Sequence, residues 1–258
     1  MGTVSAVLAQ IAVIPSAPLL VPELAGPDAV DTEPVRAAVR AAGERLAEAA
    51  ARWIAVGVGA PAPDGFRVDG DFRTEGDFGA YGVPVPVRLA ADGSGGGDAP
   101  LPLSMLLAGW LGEQVTPSPR SIRPVAVDPA ATAAACAELG AQVLAEAAGA
   151  EPVGLLVVAD GPTALSPTAP GGGERASAWA LQRTLEAAVA AADGGALAGL
   201  SAADCAAEGV GTRAAWQVLG GVLDGMPGAA AAVDYAAAPF GVGYLVATVT
   251  TAAESGDR

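Results

Sequence analysis

The sequence predicts an α/β protein with a mixed, mainly parallel sheet and helices on both faces. Four short apolar runs have the length and composition of buried strands: residues 9–14, 53–58, 121–127 and 153–159. Four helix-like segments alternate with them: residues 32–52, 101–113, 128–148 and 174–192. This alternation favours a parallel sheet, because neighbouring parallel strands need a long crossover connection, usually a helix.

The remaining segments predict how the sheet is completed. Ser201, with Asp204 three residues later, is typical of a helix start, and a further helix is expected over residues 212–223. Two final strands, over residues 229–237 and 243–250, are close enough in sequence to pair antiparallel. The other segments are predicted as an edge strand at residues 83–89, a Gly-rich surface loop at about 92–98, and loops at 16–26 and 59–82. No linker separates two composition regimes, so residues 1–258 are predicted to form a single domain.

The composition excludes several classes of chemistry. The chain has 258 residues and no His, and all 13 of its basic residues are Arg. A Ser-His-Asp triad, a His-based metal site and a Lys Schiff base are therefore impossible. A net charge of −15 disfavours nucleic-acid and anionic-membrane partners. Cys136 and Cys205 are too few for a disulfide framework and are predicted to be buried free thiols. With no signal peptide or membrane span predicted, a cytoplasmic location is expected.

Candidate site residues lie where predicted strands end, since ligands of open α/β sheets bind outside the carboxyl ends of the strands. Asp160 directly follows an apolar strand and could be a ligand or a base, or could cap its own loop in an Asx turn. Ser16 and Thr163 could be nucleophiles or could hydrogen-bond to the backbone. The acidic stretch around Asp69 to Asp77 does not match a calcium-binding loop and is expected to be solvated.

Three segments resemble one known family. Ile14-Pro-Ser-Ala-Pro-Leu-Leu-Val-Pro-Glu23 is similar to the opening Pro-His-Pro-Pro-Leu-Leu motif of the class III extradiol ring-cleavage dioxygenase superfamily. The members that it resembles include the protocatechuate 4,5-dioxygenase β subunit and the Memo-like proteins. Val157–Gly172 resembles the central Gly-Asp-Leu-Ser-His loop of these proteins, and Ala238–Ala247 resembles their closing Glu-Ala-Pro-Phe-Gly-Val-Gly-Tyr motif. The resemblance implies the α/β fold of that family and a cleft at the strand ends.

The same resemblance implies an Fe(II) site held by two His and one Glu, with a further His for acid–base work. Here Ser16 stands at the first ligand position, the second falls near Gly59 to Pro61, and Ala237 replaces the Glu. Residues 162–164 replace the loop His. With the imidazoles and the carboxylate missing, we expect no metal ligands and no Fe(II) cofactor.

Three functions therefore compete. The first is a degenerate family member without ring-cleavage activity, whose cleft still binds a small molecule or a protein. Six residues are predicted to line that cleft: Ser16, Gly59, Asp160, Thr163, Ala237 and Phe240. The second is an enzyme with carboxylate-based chemistry that uses Asp160 and Glu23, with Arg52 or Arg67. The third is an acidic assembly or binding protein, and a homo-oligomer is compatible with each of the three.

Overall fold

The computed structural model describes residues 8–26, 30–59, 72–89, 96–149 and 151–250, together with the backbone of residues 66–68. Within these ranges the chain forms nine strands: β1 (Gln10–Ile14), β2 (Arg52–Val58), β3 (Phe66–Val68), β4 (Glu75–Asp77), β5 (Pro86–Arg88), β6 (Ser121–Val127), β7 (Val153–Val158), β8 (Ala230–Ala237) and β9 (Tyr244–Thr250). The α-helices of the same ranges are α1 (Pro22–Ala25), α2 (Glu33–Ala49), α3 (Leu103–Gln114), α4 (Ala133–Ala147), α5 (Ala176–Ala190), α6 (Gly194–Ala198), α7 (Ala202–Ala207) and α8 (Arg213–Asp224).

The main sheet of the described residues has seven strands in the order β3-β6-β2-β7-β1-β9-β8. Its four central strands, β6, β2, β7 and β1, are parallel, while β3, β9 and β8 pair antiparallel with their neighbours. The predicted α/β class and the antiparallel close of the chain are both confirmed. The edge of the sheet at which β1, β2, β6 and β7 end is called the carboxyl edge below.

Two apolar layers cover the two faces of this sheet. Leu155 and Val157 of β7 pack with residues of α4, α5, α6 and α8, whereas Leu156 and Val158 pack with residues of α2 and α3. Because successive side chains of a strand point to opposite faces, a strand covered on both sides must be apolar throughout. All six residues of β7 are accordingly buried, and its apolar sequence is the signal that predicted it.

Two predicted segments take a different form. The helix expected from residue 128 begins at Ala133, because Asp128 closes a turn by accepting from the Ala130 N–H at 2.7 Å and Thr132 caps the helix instead. The expected edge strand at residues 83–89 contributes β5, which pairs with β4 in a separate two-stranded sheet. Two short helices, α1 and α6, were not predicted. The expectation of a loop over residues 59–82 is wrong in part, because β3 and β4 lie within it and pair with β6 and β5.

Other features predicted from the sequence are present in the structure. Ser201 caps α7, as its hydroxyl accepts from the Asp204 N–H at 3.2 Å. Cys136 and Cys205 are buried and form no disulfide. Among the described residues, no helix combines the length and apolar character that crossing a membrane would require.

Candidate functional site at the carboxyl edge

Asp160 and Ser16 meet at the carboxyl edge. β1 and β7 pair in parallel with Ile14 opposite Val158, so residues two positions beyond each strand end lie side by side. The backbone N–H of Ser16 donates to Oδ1 of Asp160 at 2.7 Å. The alternative that Asp160 caps its own loop is therefore not what the structure shows, since its carboxylate joins the ends of two neighbouring strands.

The backbone of Asp160 is held by α8. The Thr212 hydroxyl accepts from the Asp160 N–H at 2.9 Å and donates to the Asp160 carbonyl oxygen at 2.8 Å. The same carbonyl oxygen accepts from Nε1 of the fully buried Trp216 at 2.9 Å. Three hydrogen bonds from the start of one helix thus fix the position from which the Asp160 carboxylate projects.

Replacing Thr212 by Val is expected to lower the free energy of unfolding by about 2 kcal/mol, because it leaves the Asp160 N–H without a partner. Thr212→Ser keeps the hydroxyl and is expected to cost less than about half of that. Urea unfolding of the two variants and the wild type measures the difference. Equal losses in both variants would show that the methyl group contributes as much as the hydroxyl at this position.

The turn between β8 and β9 is bonded to the segment that follows Asp160. Gly161 N–H donates to the Gly243 carbonyl oxygen at 2.8 Å, and Gly243 N–H donates to the Pro162 carbonyl oxygen at 2.8 Å. Farther along, Leu165 N–H donates to the Gly241 carbonyl oxygen at 3.0 Å. These bonds bring the turn, with the partly exposed Phe240 at its tip, to the same edge as Asp160.

Gln182 of α5 explains two glycines at this junction. Its side chain is buried, and a Cβ atom at Gly161 or at Gly243 would lie 2.1 Å or 2.0 Å from its Oε1. No side chain larger than hydrogen fits at either position unless Gln182 moves. Oε1 has no hydrogen-bond partner among the described residues, while Nε2 donates to Glu186 at 2.8 Å.

Burial raises the pKa of Asp160 to about 7, and the hydrogen bond from Ser16 only partly opposes this. The pKa of Tyr244 is also raised, first by burial and then by the nearby charges of Asp160 and Tyr235. Among the described residues no Arg forms an ion pair with Asp160. The carboxyl edge therefore holds a carboxyl group that changes charge near neutral pH, with the phenol of Tyr244 near it.

The other predicted cleft residues lie along the same edge. Gly59 follows β2 and donates its N–H to the Val127 carbonyl oxygen at 3.0 Å. Thr163 lies in the segment after Asp160, where its N–H donates to the Glu208 carbonyl oxygen at 3.0 Å. Ala237 ends β8 directly opposite Tyr244. Residues 60 and 61, part of the second expected ligand position, lie outside the described residues.

The second predicted function loses one of its candidate partners. Arg52 is the first residue of β2, about 20 Å from the carboxyl edge at ~3.3 Å per residue, and it is exposed beside Glu151. The prediction that Arg52 shares a site with Asp160 is wrong. Glu23 is exposed on α1. The side chain of Arg67 lies outside the described residues.

An iron ion does not fit the donor set at the carboxyl edge. At the positions that match the family ligands, Ser16 offers a hydroxyl, whereas Gly59 and Ala237 offer no donor atom in a side chain. Thr163, which lies where the family has its acid–base His, offers a hydroxyl. Nor can Gly59 be replaced by a longer ligand without rearrangement, because its Cβ would lie 2.7 Å from Ala126 Cβ. An Fe(II) site of the expected type needs imidazole nitrogens that this chain lacks.

A cavity of about 470 Å³ lies near the start of α8, between the segment after β6 and α7. The buried Arg213 lies in its wall, but its guanidinium donates to the carbonyl oxygens of Pro129 and Ala131 and to Gln217. These bonds fasten the segment after β6 to α8. Arg213 therefore has a structural role there, and the cavity does not include Asp160.

Sequence reasoning missed four residues that shape the site: Thr212, Trp216, Gln182 and Tyr244. Thr212 was visible only as a helix start, and Trp216 only as a core residue. Tyr244 stands inside the closing motif, so the resemblance could have pointed to it. No local pattern marks Gln182, whose contacts with Gly161 and Gly243 arise only in the folded chain.

Comparison with known proteins assigns no family to this chain. The chain matches no protein-family model, and no curated protein matches it. Any function must therefore be inferred from the residues at the carboxyl edge.

Proposed function

We propose that this protein is a degenerate relative of the class III extradiol dioxygenases, which binds a small molecule at the carboxyl edge and has no Fe(II)-dependent ring-cleavage activity. One observation carries the proposal. The three segments that resemble the family are far apart in sequence, yet hydrogen bonds join them here: Ser16 to Asp160, Gly161 to Gly243 and Leu165 to Gly241. Segments that form one site are expected to converge in this way.

The missing ligands support the loss of ring cleavage. In the family to which the resemblance points, the metal activates the ring-cleavage chemistry and is held by nitrogen and carboxylate donors. Ser16 and Ala237 replace two of those donors. Asp160 cannot substitute for them alone, because one carboxylate whose Oδ1 is already bonded to Ser16 is a weak site for Fe(II).

The purified protein is expected to show no saturable Fe(II) binding under anaerobic conditions and no ring opening of protocatechuate in air. Calorimetric titration with Fe(II) and the ultraviolet spectrum of protocatechuate over time measure the two properties. Stoichiometric binding of one Fe(II) per chain together with ring opening would overturn the proposal.

A doubly substituted variant, Ser16→His with Ala237→Glu, tests whether residues 16 and 237 stand at the positions of two iron ligands of the family. It restores two of the expected donors at one edge of the sheet. We expect it to show saturable Fe(II) binding, which the wild type is expected to lack. If the variant gains no affinity while remaining folded, residues 16 and 237 do not converge on one site and the resemblance is misplaced.

A further inference from the structure

The Asp160 carboxylate lacks a cationic partner within the part of the chain that the structure describes. Its only hydrogen bond there comes from the uncharged Ser16 N–H, which leaves Oδ2 without a protein donor. The residue is nevertheless partly exposed, so a molecule from solution can reach the carboxylate. A half-buried carboxylate is poorly solvated, and an opposite charge brought next to it is strongly favoured.

The groups around Asp160 are aromatic or uncharged. Tyr244 of β9, whose side chain is buried, lies near Asp160, and α8 and its cap contribute the buried Trp216 and the hydroxyl of Thr212. Phe240, 36% exposed, lies on the turn that is bonded to the Asp160 segment. Aromatic rings attract cations, and the net charge of −15 favours the approach of a cation and disfavours that of an anion.

We infer that the ligand of the carboxyl edge is a small organic cation, with Asp160 as the counter-ion of its protonated nitrogen and the exposed Phe240 of the turn between β8 and β9 beside its apolar part. The inference rests on the proposed function and deepens it, since both use the same edge. It also gives a physical reason to expect a ligand unlike the acidic ring compound protocatechuate, because Asp160 would repel a carboxylate.

Three probes of one size separate charge from shape: benzylamine, benzyl alcohol and benzoate. Calorimetric or NMR titrations at about pH 8, where Asp160 is ionised, are expected to show saturable binding of benzylamine. Benzyl alcohol is expected to bind at least tenfold more weakly and benzoate not at all. Equal affinity for benzylamine and benzyl alcohol, preferential binding of benzoate, or no binding of benzylamine would each overturn the inference.

Asp160→Asn tests the residue itself. It removes the charge with little change in shape and is expected to weaken benzylamine binding at least tenfold. Asp98→Asn is the matched control, because Asp98 is exposed and gives the same change in net charge. Unchanged benzylamine binding in folded Asp160→Asn would overturn the inference. Should that variant fail to fold, the comparison of the three probes on the wild type decides.

Different results would overturn the proposed function and the cation inference. Stoichiometric Fe(II) binding with ring opening would overturn the proposed function whatever benzylamine does. Absence of benzylamine binding in a protein that also fails to bind Fe(II) would overturn only the cation inference, and would leave a degenerate family member with another ligand.

Discussion

Asp160→Asn is expected to gain stability relative to the wild type by about 3 kcal/mol as the pH rises from about 4 to about 8. Burial raises the pKa of Asp160 from 3.8 to about 7. Between these values the folded protein keeps the proton and the unfolded chain has lost it. The folded state then binds more protons, so the stability of the wild type falls as the pH rises through this window.

The size of this change in stability follows from the shift in the pKa of Asp160. Each pKa unit corresponds to about 1.4 kcal/mol, which gives a maximum of about 4 kcal/mol, reduced because the side chain is partly exposed. Asn carries no charge at any pH, so the free energy of unfolding of the variant does not fall for this reason as the pH rises. Below about pH 4 the two proteins are expected to differ little on this account, because Asp160 is protonated in both states.

Urea unfolding at about pH 4 and about pH 8 measures the difference between the two proteins at each pH. Asp98→Asn serves as the control and is expected to follow the wild type at both values. A constant difference between Asp160→Asn and the wild type would mean that Asp160 ionises as an exposed carboxyl does. The electrostatic part of the cation inference would then lose its basis.

The sheet could be predicted from local pattern because its central strands are buried on both faces. Val153–Val158 and Ser121–Val127 stand out as apolar runs of strand length, and both formed strands with nearly the predicted bounds. The ends of helices were harder to predict. Asp128 and Thr132 are both good helix starts, and only the turn closed by Asp128 decides that the helix begins after Thr132.

Only those residues of the site that directly follow predicted strands could be predicted from the sequence. Asp160 and Ser16 were both predicted, because each follows an apolar run. Their hydrogen bond was not predicted, since it requires β1 to pair with β7, and the two residues are 144 positions apart in sequence. The hydroxyl of Thr212 and the indole of Trp216 reach Asp160 across 52 and 56 residues, and no short spacing encodes such contacts.

The absence of His bears on function more than on fold. A sheet of this kind needs apolar strands and helical crossovers, and neither depends on imidazole. Ring cleavage by the family to which the resemblance points depends on it entirely. Under the proposed function, the sequence therefore retains the residues that shape the carboxyl edge and lacks those that would hold the metal.

Gly243→Ala is expected to lower the free energy of unfolding by about 2–3 kcal/mol, as typical for overpacking of a buried site. The added Cβ would lie 2.0 Å from Oε1 and 2.6 Å from Cδ of Gln182. Gln182 is 2% exposed, so its amide cannot swing into solvent, and displacing it weakens the bond from Nε2 to Glu186. Thermal or urea unfolding measures the loss.

A second substitution tests this mechanism. Gln182→Ala removes the obstructing amide together with a buried oxygen that has no partner among the described residues, so the double variant should recover at least about 1 kcal/mol of the loss in Gly243→Ala. Gly211→Ala is the control, because Gly211 is exposed and its Cβ would meet no atom within 4 Å. If Gly243→Ala is as stable as the wild type, or if the losses of the two single variants simply add, the contact between Gln182 and Gly243 is not what requires glycine there. A confirmed rescue would show that α5 fixes the junction of the β8–β9 turn with the Asp160 segment, and hence the position of Phe240 relative to the carboxylate.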